Sequence, residues 1–166
     1  TKTHVGLLLA QAVTDKLVKL DSPVSLYLDE VNSEALVFED VDITVRHLAT
    51  HLSGLPTDLS CDGISLSPEQ RLKCFLNYTD DNLLNDLNEF RLQEKPGSNY
   101  RYSNTGIRLI GIILEKAYNT SIQQLLEKRV YTRTGQVETL ARLSAEQHSR
   151  WRQGVHKNGI PAPDAS

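Results

Sequence analysis

A chain of 166 residues that is 39% hydrophobic and 23% charged is long enough to bury one core and too apolar to be disordered throughout. Its formal net charge of −3, with the basic residues scattered rather than blocked, excludes the broad positive field expected of a nucleic-acid partner. No apolar run approaches the ~20 residues that cross a bilayer, and the longest, around Val5 to Val13, is broken by Gln11 and reads as a buried helix face.

Taken in order, the chain opens on Thr1 without Met or a signal-peptide pattern and passes at once into an apolar helix, as a processed or excised segment would. From Thr3 to Lys19, Val5, Leu8, Leu9, Ala12, Val13, Leu17 and Leu20 recur at helical spacing, with Gly6 the weak point. Asp21-Ser22-Pro23 ends that helix and leads into an extended connection, Val24 to Leu28. Val31 to Asp42 reads as loop. Thr44 is a good N-cap for a short helix over 44–53, and Ser53-Gly54-Leu55-Pro56 is expected to stop it, with Ser53 at the C-cap.

Thr57 to Ser67 is small, polar and Gly-containing, hence surface loop. Ser67-Pro68-Glu69-Gln70 combines N-cap, N1 proline and an acidic first turn for a helix to about Asn77. A second helix opens at Thr79 and runs to about Arg91, with Leu83, Leu84, Leu87 and Phe90 as its buried stripe. Pro96 to Gly106 follows as a loop, and Ile107, Ile110, Ile113, Leu114 and Ala117 then form one face of a helix ending near Asn119. Thr120 is expected to cap the next helix, which buries Ile122, Leu125, Leu126 and Val130 and closes at Gly135. Ser144 caps a last helix through Trp151 to Gln153, and the tail from Gly154 is loop. The sum is about seven helices, almost no persuasive strand and no internal repeat.

Two stretches invite a chemical reading. Pro96 to Gly106, PGSNYRYSNTG, hands Tyr102, Ser103 and Asn104 to the start of a helix, as a loop at the mouth of a site does; a plain helix cap at Ser103 or Asn104 is the simpler alternative. Tyr102 and Asn104, two apart on an extended loop, would point the same way. Tyr100 reads as packing under the loop, or as a pocket wall. His47 and His51 stand four apart on one helix, a spacing that can hold a metal, but no third ligand accompanies them and helix-face packing or capping is favoured. Gly106 and Gly111 are expected to allow close helix approach. The two cysteines, Cys61 and Cys74, are compatible with a bridge in an oxidising compartment or with two free thiols. No pattern for a phosphate cradle, a dinucleotide fingerprint, a zinc helix or a nucleophile elbow is present, so neither cofactor nor metal is expected.

Read together, TKTHVGLLLAQAV, LDSPVSLYL, ITVRHLATHLSGLP and PGSNYRYSNTGIRLIGIILEKAYNTS, and further on LSAEQHSRWRQG with NGIPAP, resemble the serine β-lactamase and penicillin-binding-protein superfamily. Within it they are similar to the class C β-lactamase branch, which includes D-alanyl-D-alanine carboxypeptidases and esterases. The resemblance runs over nearly the whole chain. It implies a mainly α chain: the helical region of a β-lactamase/transpeptidase-like α/β (α+β) fold over residues 1–153, a loop tail over 154–166, and most of the antiparallel sheet missing, as in a fragment.

The resemblance also implies site residues. Lys2 matches the lysine of the family's S-x-x-K, whose serine would stand two positions before Thr1; no serine in this sequence has a lysine three residues on. Tyr102 and Asn104 match the family's Tyr-x-Asn. Lys2 and Tyr102 would share in moving the serine proton, and Asn104 would hold the lysine and the substrate's amide. Arg133-Thr134-Gly135 reads as a helix terminus rather than the family's K-T-G or H-T-G strand. The implied partners are a β-lactam, a peptidoglycan peptide or an ester, and the implied location is periplasmic or secreted. Without the nucleophile this chain alone is expected to be inactive. The rival expectation is a non-catalytic helical binding module on the same scaffold.

Overall fold

The computed structural model describes residues 2–59, 67–136, 138–139, 145–150, 152, 154, 155 and 159. Its helices are α1 (Lys2–Thr14), α2 (Val45–Ala49), α3 (Pro68–Asn77), α4 (Asp80–Glu89), α5 (Asn104–Tyr118), α6 (Ile122–Leu125), α7 (Thr132–Thr134) and α8 (Ala145–His148). The strands β1 (Val37–Phe38) and β2 (Val41–Asp42) form a two-stranded antiparallel ribbon. The described chain is therefore mainly α. The expected cap at Ser144 lies outside the described residues, as do Trp151, Gln153 and most of the 154–166 tail; α8 ends at His148, short of the expected run through Trp151 to Gln153, and Ser149 and Arg150 form a turn.

Helix α5 is the hub, because it packs against α1, α2 and α6. Its Leu109, Ile110, Ile113 and Leu114 are fully or almost fully buried. They meet Leu8, Leu9 and Ala12 of α1 and Leu48 of α2 in one continuous core. The start of α5 is fixed by Ser103, whose hydroxyl accepts the Gly106 N–H at 3.0 Å and donates to the Pro56 carbonyl at 2.7 Å. One buried side chain thus caps the helix and ties it to a distant turn. Gly106 is where α5 meets α2: a Cβ there would stand 3.5 Å from the Leu48 carbonyl oxygen. Gly111 has open space around it instead, so only the first of the two glycines serves close approach. The helix ends at Asn119 in the left-handed region, φ 49°.

Several segments depart from the sequence expectation, each for a local reason. Helix α1 stops at Thr14, not Lys19: Lys16 is left-handed at φ 61°, and Leu17 and Val18 both return their N–H to the Ala12 carbonyl. That wrap buries Val18 and leaves Leu17 exposed. The expected extended piece Val24 to Leu28 opens with a 3-10 turn, Val24–Leu26. The expected loop Val31 to Asp42 holds another 3-10 turn, Ser33–Leu36, and the ribbon, which reverses through Glu39 and Asp40, both at positive φ.

Helix α2 keeps its expected cap, with Thr44 and His47 bonding reciprocally. Its chain reverses at His51, left-handed at φ 59°. Ser53 is therefore not a C-cap; it is buried and its hydroxyl accepts the Leu55 N–H. Ser121, not Thr120, caps α6, which continues through a π-helical turn, Leu126–Tyr131, into α7 and closes at left-handed Gly135. The Arg133-Thr134-Gly135 stretch is thus a helix terminus, as the spacing predicts.

The ends of α1, α5 and the π-helical turn are tied by Asp15. It accepts from the Tyr118 hydroxyl at 2.7 Å and from Arg129 at 2.9 Å. Burial, and then the bond to Asp15, push the Tyr118 hydroxyl up to about 12.

Two stability measurements check this account. Ile113→Ala is expected to lower the unfolding free energy by about 2–5 kcal/mol, seen as a lower urea midpoint at unchanged slope. Ser103→Ala is expected to cost about 1–2 kcal/mol, and Ser121→Ala, at the exposed cap of α6, less than that. Equal losses would reduce Ser103 to an ordinary cap.

Candidate active site

The 96–103 loop lies along the turn that follows α2, and backbone hydrogen bonds fasten it at both ends. The Gly97 N–H donates to the Leu52 carbonyl at 2.7 Å and the Arg101 N–H to the His51 carbonyl at 2.8 Å. The Asn104 and Thr105 N–H groups, at the start of α5 where no intrahelical acceptor exists, both donate to the Thr57 carbonyl, at 2.8 and 3.1 Å. Thr57 also donates its hydroxyl to the Tyr102 carbonyl at 3.1 Å. Gly97, at φ 90°, is needed here twice over: its backbone is left-handed, and a Cβ would meet His47 at 3.3 Å.

This docking brings two of the three expected residues together. The Lys2 amine, at the first turn of α1, stands 5.3 Å from the centre of the Tyr102 ring, within cation–π range. Residues one hundred positions apart in sequence thus share one electrostatic neighbourhood. Lys2 is exposed and Tyr102 is 43% exposed, so the described residues do not themselves desolvate the amine. Asn104 is the first residue of α5 rather than part of an extended loop. Its amide nitrogen donates to both carboxylate oxygens of Asp58, at 3.1 and 3.3 Å, in place of the expected lysine.

Lys2, Asn104 and Asp58 line one cavity of about 520 Å3, whose remaining wall includes Val5, Ile107 and Ile112. Its open floor over Gly111 follows from the empty space at that glycine. A polar edge against an apolar wall is the composition of a small-molecule cleft.

The histidines serve hydrogen bonding. The His47 Nδ1 accepts the Thr44 N–H at 3.2 Å, and burial holds its imidazole below the usual histidine range. The His51 Nδ1 accepts the Ser103 N–H at 3.2 Å. Among the described residues no group of three or more His, Cys, Asp or Glu is placed to hold a metal ion. Tyr100, expected as packing, is 69% exposed and touches His51 edge-on. Cys74 is disulfide-bonded; the other cysteine of the sequence, Cys61, lies outside the described residues. Sequence reasoning missed Thr57, Asp58 and His51 as partners of the tyrosine loop. Only the turn before Pro56 pointed to that neighbourhood.

Nearly the whole chain is similar to known proteins. The sequence matches the Beta-lactamase family model over residues 1–165. A β-lactamase of Providencia stuartii is 29% identical over 165 residues, covering 97% of this chain and 37% of that protein. The structure of a β-lactamase/D-alanine carboxypeptidase from Yersinia pestis, complexed with citrate, superposes with a TM-score of 0.79 at 26% identity, over 97% of this chain and 44% of that one. A class C β-lactamase shares the fold with a TM-score of 0.77 at 23% identity, over 98% of this chain and 40% of that one. The chain thus spans well under half the length of these relatives, and within that span it belongs to the Beta-lactamase family.

Proposed function

We propose that this chain supplies one wall of the active site of a serine hydrolase that acts on an amide, such as a β-lactam or a D-Ala-D-Ala peptide, or on an ester. The observation that carries the reading is the Lys2 amine held 5.3 Å from the Tyr102 ring by a helix and a loop that the core joins. In the reaction, the hydroxyl of a serine upstream of Thr1 loses its proton to the Tyr102 oxygen, in its phenolate form, as the serine oxygen bonds to the substrate carbonyl carbon. Collapse of the tetrahedral intermediate breaks the carbon–nitrogen or carbon–oxygen bond, and the Tyr102 proton passes to the leaving atom. Water then releases the acyl group from the serine. Asn104 at the cavity edge orients the substrate amide and takes no proton.

A periplasmic or secreted location belongs to the same proposal. The disulfide at Cys74 supports it, since such bonds persist in oxidising compartments.

The 166-residue chain is expected to show no nitrocefin or D-Ala-D-Ala turnover above buffer, because no serine in it stands three residues before a lysine; measurable turnover would contradict this. Extended upstream and downstream to the length of its relatives, the protein is expected to be labelled by a fluorescent penicillin. Tyr102→Phe is expected to slow acylation by about 10²–10⁴-fold. Absence of labelling, together with ester hydrolysis unchanged by Tyr102→Phe, would sink the catalytic reading and leave a binding module.

A further inference from the structure

One residue touches the chain on both sides of Tyr102. The His51 carbonyl accepts the Arg101 N–H at 2.8 Å, and its Nδ1 accepts the Ser103 N–H at 3.2 Å. Its ring also lies against the Tyr102 ring, with centres 4.8 Å apart and planes tilted by 39°. On its other flank the Tyr100 ring meets it edge-on, at 5.9 Å and 85°. Main chain and side chain of a single residue therefore grip positions 101, 102 and 103.

The backbone of His51 is itself unusual. Its φ of 59° is a left-handed conformation that a residue with a Cβ adopts at a cost. Here that conformation turns the chain back after α2, so that the carbonyl and the imidazole of one residue both reach the loop. An ordinary right-handed residue continuing the helix would direct its carbonyl along the helix axis. The accepting role of Nδ1 also fixes the chemistry of the ring: that nitrogen carries no proton, so a neutral imidazole holds its proton on Nε2.

We propose that His51 is a positioning residue that sets the Tyr102 phenol against the Lys2 amine, through its bond to the Ser103 N–H and its ring contact. The catalytic consequence rests on the proposed function of Tyr102; the clamp itself does not. Two substitutions separate the elements of the grip. In His51→Asn the amide oxygen takes the position of Nδ1, and asparagine tolerates the left-handed backbone, so the acceptor survives and the ring is lost. His51→Phe keeps a ring and removes the acceptor.

The first test is hydrogen exchange of the Ser103 amide by nuclear magnetic resonance in the 166-residue chain, with folding monitored by the far-ultraviolet circular dichroism of each variant. Exchange is expected to quicken about tenfold or more in His51→Phe and to return close to the wild-type rate in His51→Asn. Unchanged protection in a folded His51→Phe overturns the clamp, and so does equal loss in both variants. If His51→Phe does not fold, the Asn variant decides alone: protection near wild type supports the acceptor role, and loss overturns it.

The second test uses the protein extended to the length of its relatives. His51→Phe is expected to lower the acylation kcat about 10- to 100-fold with KM nearly unchanged, and His51→Asn is expected to recover most of it. In a Tyr102→Phe background, His51→Phe is expected to have no further effect, since it acts through that phenol. Full additivity overturns the positioning role. A Tyr102→Phe protein that acylates at the wild-type rate overturns the catalytic reading instead, and the Ser103 exchange result then still decides the clamp.

Discussion

The hydroxyl of Ser103 is the joint on which the described structure turns. It accepts from the first turn of α5 and donates to the Pro56 carbonyl, so a helix start and a turn some fifty residues earlier are one unit. Its burial is complete, and a buried hydroxyl with both roles filled is costly to disturb. Around it, the Thr57 carbonyl collects two amides of α5 and the His51 imidazole collects one of the loop. The polar groups that a reversed chain and a helix terminus leave open are thus satisfied by one another. This mutual satisfaction, rather than apolar burial, carries the tyrosine loop, because Tyr100 and Tyr102 remain open to solvent.

Apolar burial acts in the layer below. The α5 residues Leu109, Ile110, Ile113 and Leu114 are packed against α1 and α2, and the Gly106 contact with Leu48 sets how near α5 comes to α2. The two layers explain why the loop can be polar and still fixed. The core determines where α5 begins, and the cap at its beginning determines where the loop ends.

Much of this is legible in the chain. The 3.6-residue spacing in α1, α4 and α5 marks their buried faces, and the Thr44, Ser67 and Thr79 caps stand where the sequence places them, since a cap is a local pattern. What the sequence hides depends on non-local partners or left-handed residues. Lys16, Glu39, Asp40 and His51 all have positive φ without being glycine, so their residue types announce the turns they make only weakly, at Asp40 and His51, or not at all, at Lys16 and Glu39. That is why the spacing alone carries α1 too far, gives the β1–β2 ribbon as loop, and puts the end of α2 at Ser53. The proposed site is legible as a resemblance to a family motif at Lys2, Tyr102 and Asn104. The partners that hold the motif in place, Thr57, Asp58 and His51, come from another stretch of chain and have no fixed spacing to it.

Lys2 also inherits something from the helix that bears it. Val5, Leu8, Leu9 and Ala12 are sunk in the core, and successive residues of a helix are turned by about 100° from one another. The direction in which the Lys2 amine leaves α1 is therefore set by how those four side chains seat themselves in the core. If Lys2 acts as proposed, the rotational phase of α1 about its own axis is in this sense a coordinate of the chemistry. A substitution under the helix that left the protein folded but let α1 roll by a fraction of a turn would read in an assay as damage to the amine, though the amine itself was untouched.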